Sequence, residues 1–366
     1  MHIRAQSLTR KETVKTCVNP SKAATPPMAR GNEDVSTAAL EDLIRAMRWA
    51  RLRLTVLAEE PLHLPPYKGS TFRGAFGHAF KGVACPLRRQ CAGCAHPAVC
   101  VYAYVFETPA PAEASSLARS PQVAHPFVLE PPETDRREFG PGEKLELGLV
   151  LIGRAIFLAP YFLAACREMG RGGIGRGRAR FRVERVLAED PEDPRGRCVY
   201  DGDQDLLAPV VPPWSGEDLR RDGAGSIESM TLEFVTPTRL RQDADLVVRP
   251  EFTPLATALL RRVSVLAEVH CGVQPRVNAR EILASAADVK VEESKLRWHD
   301  WERYSARQDA RMALGGFVGR ITFGGPLGPW LPLLRLGEIL HVGKGTAFGL
   351  GRYRIEERAA GGGARP

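Results

Sequence analysis

Alternating apolar and polar residues mark the start of each half of the chain. Apolar side chains occupy every second position between residues 50 and 56, and the alternation returns between residues 230 and 234. This period is typical of a half-buried β-strand. A helical period follows each strand, with apolar faces formed by Phe72, Phe76, Ala79, Phe80 and Val83 and by Leu255, Leu259, Val263 and Leu266. The pattern therefore predicts two units that each open with a strand and a helix.

An internal repeat links the closing parts of the two units. Residues 177–184 (GRARFRVE) resemble residues 349–356 (GLGRYRIE) at an offset of 172, and the same offset places Pro160 on Pro332 without a gap. Each unit therefore closes with a strand, a Pro-containing helix, a Gly-rich loop and a strand. Together with the openings, this predicts an α+β protein of tandem ferredoxin-like domains, whose four-stranded sheet is also that of common RNA-binding (RRM-like) modules.

Composition along the chain predicts the limits of these domains. The run 13–32 is rich in Pro, Ala and Lys and lacks apolar periodicity, so residues 1–46 are predicted to be a disordered or dispensable extension. The segment before the second strand is rich in Gly, Pro and charge, which is typical of a linker. The prediction is an N-terminal domain at 47–190, a linker at 191–227, a C-terminal domain with the Gly-rich loop at 228–357, and a tail at 358–366.

Charge and hydropathy narrow the functional classes. No run of 18 apolar residues and no signal-peptide core are present, so we expect a cytoplasmic protein without a membrane partner. Lysine and arginine number 51 against 43 acidic residues, a net charge of +8. Residues 167–185 hold seven arginines and five glycines against two glutamates. This basic, Gly-rich segment suits a phosphate backbone, although a solvated loop would have the same composition.

Four cysteines form a compact cluster inside the first domain. Cys85, Cys91, Cys94 and Cys100 follow the spacing C-x5-C-x2-C-x5-C. In a chain without a signal peptide such spacing favours metal binding over disulfides, and four thiolates match tetrahedral structural zinc. An iron–sulfur cluster and unliganded thiols are the alternatives. We expect a cysteine-rich metal knuckle at 85–100.

Three segments carry a resemblance to a known family. Residues 334–353 (LRLGEILHVGKGTAFGLGRY) resemble the C-terminal signature of the RAMP-superfamily endoribonucleases that process precursor CRISPR RNA. Residues 65–78 (PPYKGSTFRGAFGH) and 298–308 (WHDWERYSARQ) are similar to the same branch. The resemblance covers residues 48–356. It implies tandem RAMP domains, the repeat of precursor CRISPR RNA as substrate, and cleavage through a 2′-hydroxyl with no catalytic metal.

Two other functions stay open at this point. Some relatives bind RNA without cutting it, so a noncatalytic guide-RNA-binding subunit of a CRISPR effector complex is the alternative, and other effector subunits are candidate partners. A zinc-dependent DNA-binding regulator is disfavoured, because no helix-turn-helix is visible and no basic recognition helix follows the cysteines.

Cleavage through a 2′-hydroxyl needs a general base, and His78 is the preferred candidate. On the predicted helix at 70–83 it falls away from the phenylalanine face, near Gly74 and Gly77. Lys68 is assigned to catalysis with it, and Arg73 to a phosphate. The alternative is a solvated surface histidine. The other candidate bases are His63, His96, His299 and His341, whereas His270 is expected to be structural.

The two Gly-rich loops are the predicted RNA contacts. Glycine leaves backbone N–H groups open to a phosphate, and neighbouring cations add charge. The predicted RNA-binding residues are Gly343, Lys344, Gly345, Gly349, Gly351 and Arg352 in the second loop, with Arg176 and Arg178 in the first. A purely structural turn is the alternative for the second loop.

Overall fold

The computed structural model describes most of the chain. The described residues are 32–85, 87, 91, 94–96, 99–108, 123–204, 206–208, 211–220, 227–242, 245–300, 302–305, 310–313 and 315–357. The predictions for residues 1–31 and for the tail 358–366 lie outside them. Within this part of the chain, no helix has both the length and the apolar character that crossing a bilayer requires.

The first half of the chain contains three helices and nine strands within the described residues. In chain order they are α1 (Asn32–Ala46), β1 (Arg48–Ala58), β2 (Leu62–His63), α2 (Gly69–Ala84), β3 (Phe127–Glu130), β4 (Glu138–Phe139), β5 (Lys144–Ile152), α3 (Ala159–Gly172), β6 (Phe181–Ala188), β7 (Arg197–Asp201), β8 (Leu206–Leu207) and β9 (Trp214–Ser215). A 3-10 turn, Gly153–Leu158, leads into α3.

The second half adds three further helices and eight strands to the described part. These are β10 (Ser229–Thr238), β11 (Leu240–Gln242), β12 (Asp245–Val247), α4 (Phe252–His270), α5 (Ala279–Ala284), β13 (Lys290–His299), β14 (Glu302–Ser305), β15 (Ala310–Ala313), β16 (Gly316–Gly324), α6 (Leu331–Leu340) and β17 (Tyr353–Glu357).

Each half is built on an antiparallel sheet with the same strand order. The first sheet contains β3-β5-β1-β6-β7-β8, and the second contains β13-β16-β10-β17. Leu54 of β1 pairs with Leu147 on one side and Val186 on the other, and Leu232 of β10 pairs with Ile321 and Ile355. Both central strands therefore carry apolar residues toward helices, as β-α-β-β-α-β units require. The predicted α+β class is confirmed.

The internal repeat appears in the elements themselves. The same offset of 172 residues separates the first residues of three element pairs, which are β5 and β16, α3 and α6, and β6 and β17. The repeat therefore marks equivalent positions in two domains.

Two apolar cores fill the domains, and the second extends into the first domain's sheet. Phe72, Phe76 and Phe80 of α2 lie in the first core with the inner face of β1. The second core holds α4 and α6, but it also contains Trp49, Val128, Val150 and Ile152 from the outer face of the first sheet. The two domains therefore share buried surface.

The prediction that residues 1–46 lie outside the fold is wrong for α1. Leu40, Leu43 and Ile44 are buried in the second core, where α1 contacts α4, α5 and α6. Their helical spacing was visible in the sequence, but the surface that covers them belongs to elements more than two hundred residues away.

The predicted linker at 191–227 is also wrong in part. β7 and β8 extend the first sheet beyond β6, and β9 pairs with the start of β1. These strands are short and lie between Gly- and Pro-rich stretches, so the sequence shows no recognisable alternation there.

Replacing a buried residue of α1 tests whether this helix is part of the fold. Leu43→Ala should lower the free energy of unfolding by about 2–5 kcal/mol, because it leaves a cavity in the second core. Asp42→Ala on the exposed face of the same helix should change it by about 0.5 kcal/mol or less. Urea unfolding measures both. Equal, near-zero effects would mean that the helix is dispensable.

Candidate functional site

His78 lies on a face of α2 that nothing else in the described protein covers. The phenylalanines turn the opposite face into the core, so His78 is exposed. Gly74 precedes it by one helical turn and Gly82 follows by one turn, and a Cβ added at either glycine would meet no atom within 4 Å. The backbone around His78 is therefore open to a partner that approaches closely.

Gly77 has a different role from Gly74. A Cβ at Gly77 would lie 3.0 Å from Nη1 of Arg73 and 3.3 Å from the Phe106 ring. A side chain at Gly77 would therefore crowd Arg73 and Phe106, whereas Gly74 and Gly82 border the open face.

The structure does not place Lys68 where catalysis would need it. Its side chain is only 1% exposed, and Nζ donates to the carbonyl oxygens of Pro66 at 3.1 Å and Thr134 at 2.5 Å. Burial lowers the pKa of Lys68. Its catalytic assignment is therefore corrected: Lys68 fixes the turn before α2 and does not face the open surface of His78.

Arg73 is also drawn into the protein. Its guanidinium carbon lies 4.9 Å from the ring centre of Phe106 and 5.0 Å from that of Phe348. Cation–π contacts of this kind hold a cation between two rings. Arg73 therefore links α2 to the second Gly-rich loop, and phosphate binding is not its evident role.

Burial separates the histidines into two groups. His125 and His270 are enclosed, and burial lowers the pKa of each to about 4, which makes both poor bases near neutral pH. His270 is structural as expected, because its ring bonds to the Tyr104 hydroxyl at 3.1 Å and the Ala124 carbonyl at 2.8 Å. His341 is fully buried. The exposed candidates with His78 are His63, His96 and His299.

His63 borders a second candidate surface. Its Nδ1 lies 3.3 Å from Oε1 of Glu138, and both residues line a shallow pocket of about 560 Å³ that also contains Arg136 and Arg137. The backbone N–H of Arg176 donates to the His63 carbonyl at 3.1 Å. The first Gly-rich loop and its exposed Arg176 therefore lie beside His63.

Arg178 supports the first Gly-rich loop from within. It adopts a positive φ of 54°, and its Nε and Nη2 donate to the Gly172 carbonyl at 3.1 and 3.0 Å. The residue is exposed, so one face of its guanidinium stays open to solvent. The predicted basic surface at residues 176–178 is accessible.

The second Gly-rich loop is largely a contact between the domains. The Tyr67 hydroxyl donates to the Phe348 carbonyl at 2.7 Å, and a Cβ at Gly349 would lie 2.8 Å from the Leu129 carbonyl. The N–H groups of Gly349 and Gly351 donate to the carbonyls of Thr346 and Pro237. The expectation that these N–H groups face a phosphate is therefore wrong for Gly349 and Gly351.

Only one end of this loop is accessible. Gly343 and Gly345 are half-buried, and Lys344 between them is exposed. The loop contacts the start of α2 through Gly69 and the side of α2 that carries Arg73. His78 projects from a different face of α2, so the structure does not bring the predicted base and this loop together.

A buried carboxylate links the two domains beneath the loop. Glu130, at the end of β3, accepts from Nη2 of Arg51 at 3.1 Å and from Nε2 of His341 at 3.2 Å, and Nε of Arg352 lies 3.7 Å away. Burial alone would raise the pKa of Glu130. The hydrogen bond from His341 and the charges of Arg51 and Arg352 outweigh it and lower that pKa to about 2.

Arg352 is therefore held by carboxylates instead of being free for RNA. Besides Glu130 it pairs with Glu133, which also pairs with Arg354. The RNA-binding assignment of Arg352 is corrected to an interdomain ion pair. Glu130 was missed in the sequence. Its only signal is a lone carboxylate that ends the apolar run 127–129.

The four clustered cysteines do not form a metal site in the described residues. Cys85 ends α2, Cys100 precedes the next helical turn, and all four thiols are free and half-buried. Burial raises the pKa of Cys91. No group of three or more His, Cys, Asp or Glu side chains in this part of the chain could hold one ion. The zinc assignment stays a prediction.

Two family models match separate parts of the chain. Residues 232–353 match the family model of the CRISPR-associated endoribonuclease Cas6, and residues 47–211 match the model of an N-terminal domain. The chain is 26% identical over 296 residues to an uncharacterized protein of Archaeoglobus fulgidus, covering 80% of this chain and 93% of that protein.

Two solved structures are similar in fold. A product complex of Thermus thermophilus Cas6 has a TM-score of 0.50 and 21% identity, covering 84% of this chain and 99% of that one. The Cas6-containing chain of a partial Cas6-RT-Cas1–Cas2 complex also has a TM-score of 0.50, with 11% identity, covering 87% of this chain and 47% of that one.

Removing the charge of Glu130 tests the interdomain ion pair. Glu130→Gln should lower the free energy of unfolding by about 1.5–3 kcal/mol, because Arg51 and Arg352 lose a charged hydrogen-bond partner and keep only Glu189 and Glu133. Glu133→Gln, at a carboxylate that is 35% exposed, should cost about 1 kcal/mol or less.

The pH dependence of the stability lost in Glu130→Gln tests whether Glu130 is ionised in the folded protein. The pKa of Glu130 falls from 4.5 to about 2 on folding, so its contribution is complete above about pH 4.5 and is lost as the pH falls toward 2. The stability difference between wild type and Glu130→Gln should therefore shrink as the pH is lowered through this range. A difference that is constant from pH 6 to pH 2 would contradict the ionised state of Glu130.

Metal analysis tests the cysteine prediction. Protein purified without added zinc should contain about one equivalent of zinc if Cys85, Cys91, Cys94 and Cys100 converge on one ion. A Cys91→Ser, Cys94→Ser variant should lose it, whereas Cys198→Ser, at an exposed free thiol outside the cluster, should retain it. Metal-free, fully stable wild type would contradict the prediction.

Proposed function

We propose that this protein, whose residues 232–353 match the family model of the CRISPR-associated endoribonuclease Cas6, binds the repeat of precursor CRISPR RNA and cuts it. The paired β-α-β-β-α-β domains support the proposal, because sheets of this type recur in RNA-binding modules. The similar Thermus Cas6 was solved as a product complex, and we extend that role to this chain. The product would be guide RNA for antiviral defence.

The proposed chemistry is attack by a 2′-hydroxyl on the adjacent phosphate, without a catalytic metal. The base removes the hydroxyl proton, the oxygen forms a cyclic 2′,3′-phosphate, and the 5′-oxygen leaves with a proton from an acid. A side chain that is exposed and can exchange protons near neutral pH meets the first need.

The exposed position of His78 carries the proposal. It lies on the one face of α2 where two glycines leave the backbone open, so an RNA strand could approach the imidazole closely. The buried His125, His270 and His341 cannot meet a 2′-hydroxyl without unfolding. His63 is the second choice, because Glu138 would hold its ring beside the exposed Arg176.

Exposed cations of the two Gly-rich loops would bind the RNA phosphates. Arg176, Arg178 and Lys344 are exposed, and the chain carries a net charge of +8. Contacts of this kind supply affinity and position without reading sequence. They would also let binding survive the loss of the base.

Other CRISPR proteins are proposed partners. The fold similarity to the Cas6 part of a complex with a reverse transcriptase, Cas1 and Cas2 supports such an assembly. A noncatalytic RNA-binding subunit remains the second candidate. It is favoured because His78 and the second Gly-rich loop lie at different faces of α2. Failure of the wild type to cut its host's own repeat RNA would select it.

Replacing His78 tests the base. His78→Ala should bind repeat RNA nearly as the wild type does and cleave it at least about a hundredfold more slowly. His299→Ala, at an exposed candidate base of the other domain, should keep full activity if His78 is the base. Single-turnover cleavage with saturating protein measures both. Full activity of His78→Ala would assign the base elsewhere, with His63→Ala the next variant to measure.

Adding a methyl group beside His78 tests whether RNA lies on the open face. Gly74→Ala should stabilise α2 by roughly 0.5–1 kcal/mol, because alanine is the better helix former and no atom lies within 4 Å of its Cβ. The same variant should bind or cleave RNA less well, because the methyl group obstructs close approach. Gly77→Ala is the control: its methyl group would crowd Arg73 and Phe106, so it should not gain the stability expected of Gly74→Ala. A stabilised Gly74→Ala with unchanged RNA affinity and cleavage would place the RNA elsewhere.

A further inference from the structure

A second concavity lies where three parts of the chain meet, away from the glycine-flanked face of α2. The turn Gly153–Leu158 and the start of α3 form one wall, and His270 and Cys271 at the end of α4 close the pocket. A second wall is formed by Ala208, Val211 and Pro213. Its volume is about 520 Å³, within the range of small-ligand pockets. Both domains contribute, because Gly153 packs so closely on the His270 carbonyl that an added Cβ would lie 2.1 Å from it.

Phe157 stands at this pocket almost entirely in water. It is 86% exposed, whereas Ala155 and Ile156 of the same turn are buried in the first core. The 3-10 turn therefore directs its neighbours inward and leaves the phenyl ring outside. Covering this ring would remove apolar surface from water, which is favourable, and no described residue of the protein does so.

The charges at the pocket have one sign. Arg48 and Arg154 are the charged residues among those that line it, and no carboxylate is among them. The guanidinium carbon of Arg154 lies 5.2 Å from the ring centre of Tyr104, and Nη1 of Arg48 donates to the carbonyls of Arg45 at 2.6 Å and Met47 at 2.9 Å. Both cations are thus held in place from the protein side.

We propose that this pocket holds one unpaired base of a single-stranded RNA, stacked on Phe157, with the adjoining phosphate against Arg154 and Arg48. The inference rests on the proposed function, since it takes RNA as the ligand. Proteins recognise unpaired RNA bases by stacking them on aromatic rings and by placing cations along the backbone. A nucleotide carries a stacking face and an adjoining phosphate in one unit, which matches the exposed ring of Phe157 and the two arginines.

Fluorescence of a base analogue tests the stacking directly. A set of repeat RNAs would each carry 2-aminopurine in place of one unpaired base, and binding to wild type should quench the analogue at one position. Phe157→Ala should remove that quenching and weaken RNA binding about five- to hundredfold, whereas Phe157→Tyr should restore both, because tyrosine keeps the ring. Tyr161→Ala is the matched control. This residue is also an exposed aromatic of the same region, at 40%, but it does not line the pocket, so both readouts should be unchanged.

The outcomes separate this inference from the proposed function. Wild type that binds and cuts repeat RNA, with Phe157→Ala binding it equally well, would overturn the pocket and leave the proposed function intact. Wild type that binds no repeat RNA would overturn both. Phe157→Ala that keeps its RNA affinity but loses association with another effector subunit would make the pocket a protein-docking site and overturn the inference as stated.

Discussion

The contact of the buried Glu130 carboxylate with the guanidinium groups of Arg51 and Arg352 and the imidazole of His341 constrains the rest of this structure. Glu130 belongs to the first domain, and His341 and Arg352 come from the second. A charge removed from water costs several kcal/mol unless partners replace the lost hydration, so the domains can close only in an arrangement that presents those partners. Apolar burial brings the domains together, and this ion pair selects their register.

That register sets what the two candidate surfaces can do. With His341 hydrogen-bonded to Glu130, the loop 343–351 lies against β3 and against the start of α2. There Tyr67 donates a hydrogen bond to the Phe348 carbonyl, and Arg73 packs on the Phe348 ring. Protein contacts therefore cover most of the loop, and Lys344 is its one fully exposed residue. The opposite face of α2 stays open, and the junction behind the first sheet leaves a pocket under Phe157. The same arrangement of the two domains therefore leaves both surfaces accessible, the open face of α2 and the pocket at Phe157.

The sequence predicted what depends on local periodicity and failed where distant partners decide. The repeat at an offset of 172 identified three pairs of elements to the residue, because equivalent strands and helices keep equivalent spacing. The exposed position of His78 followed from the helical period alone. Lys68 and Arg73 precede His78 by ten and five residues, yet both side chains point into the protein. Their partners, Thr134 and Phe348, are distant in sequence and no local pattern reveals them. The same reason explains α1, whose apolar face is covered by the far end of the chain, and Glu130, whose hydrogen-bond and ion-pair partners come from distant segments.

The central claim is that this protein cuts RNA through an internal 2′-hydroxyl with its own side chains as acid and base. The most direct measurement incubates wild type in EDTA with its host's repeat RNA and with the same RNA carrying hydrogen in place of the 2′-hydroxyl before the cut. The account predicts that the first RNA is cleaved, that its 5′ fragment ends in a 2′,3′-cyclic phosphate, and that the second stays intact. Cleavage of the deoxy-substituted RNA, or cleavage only when magnesium is added back, would contradict it.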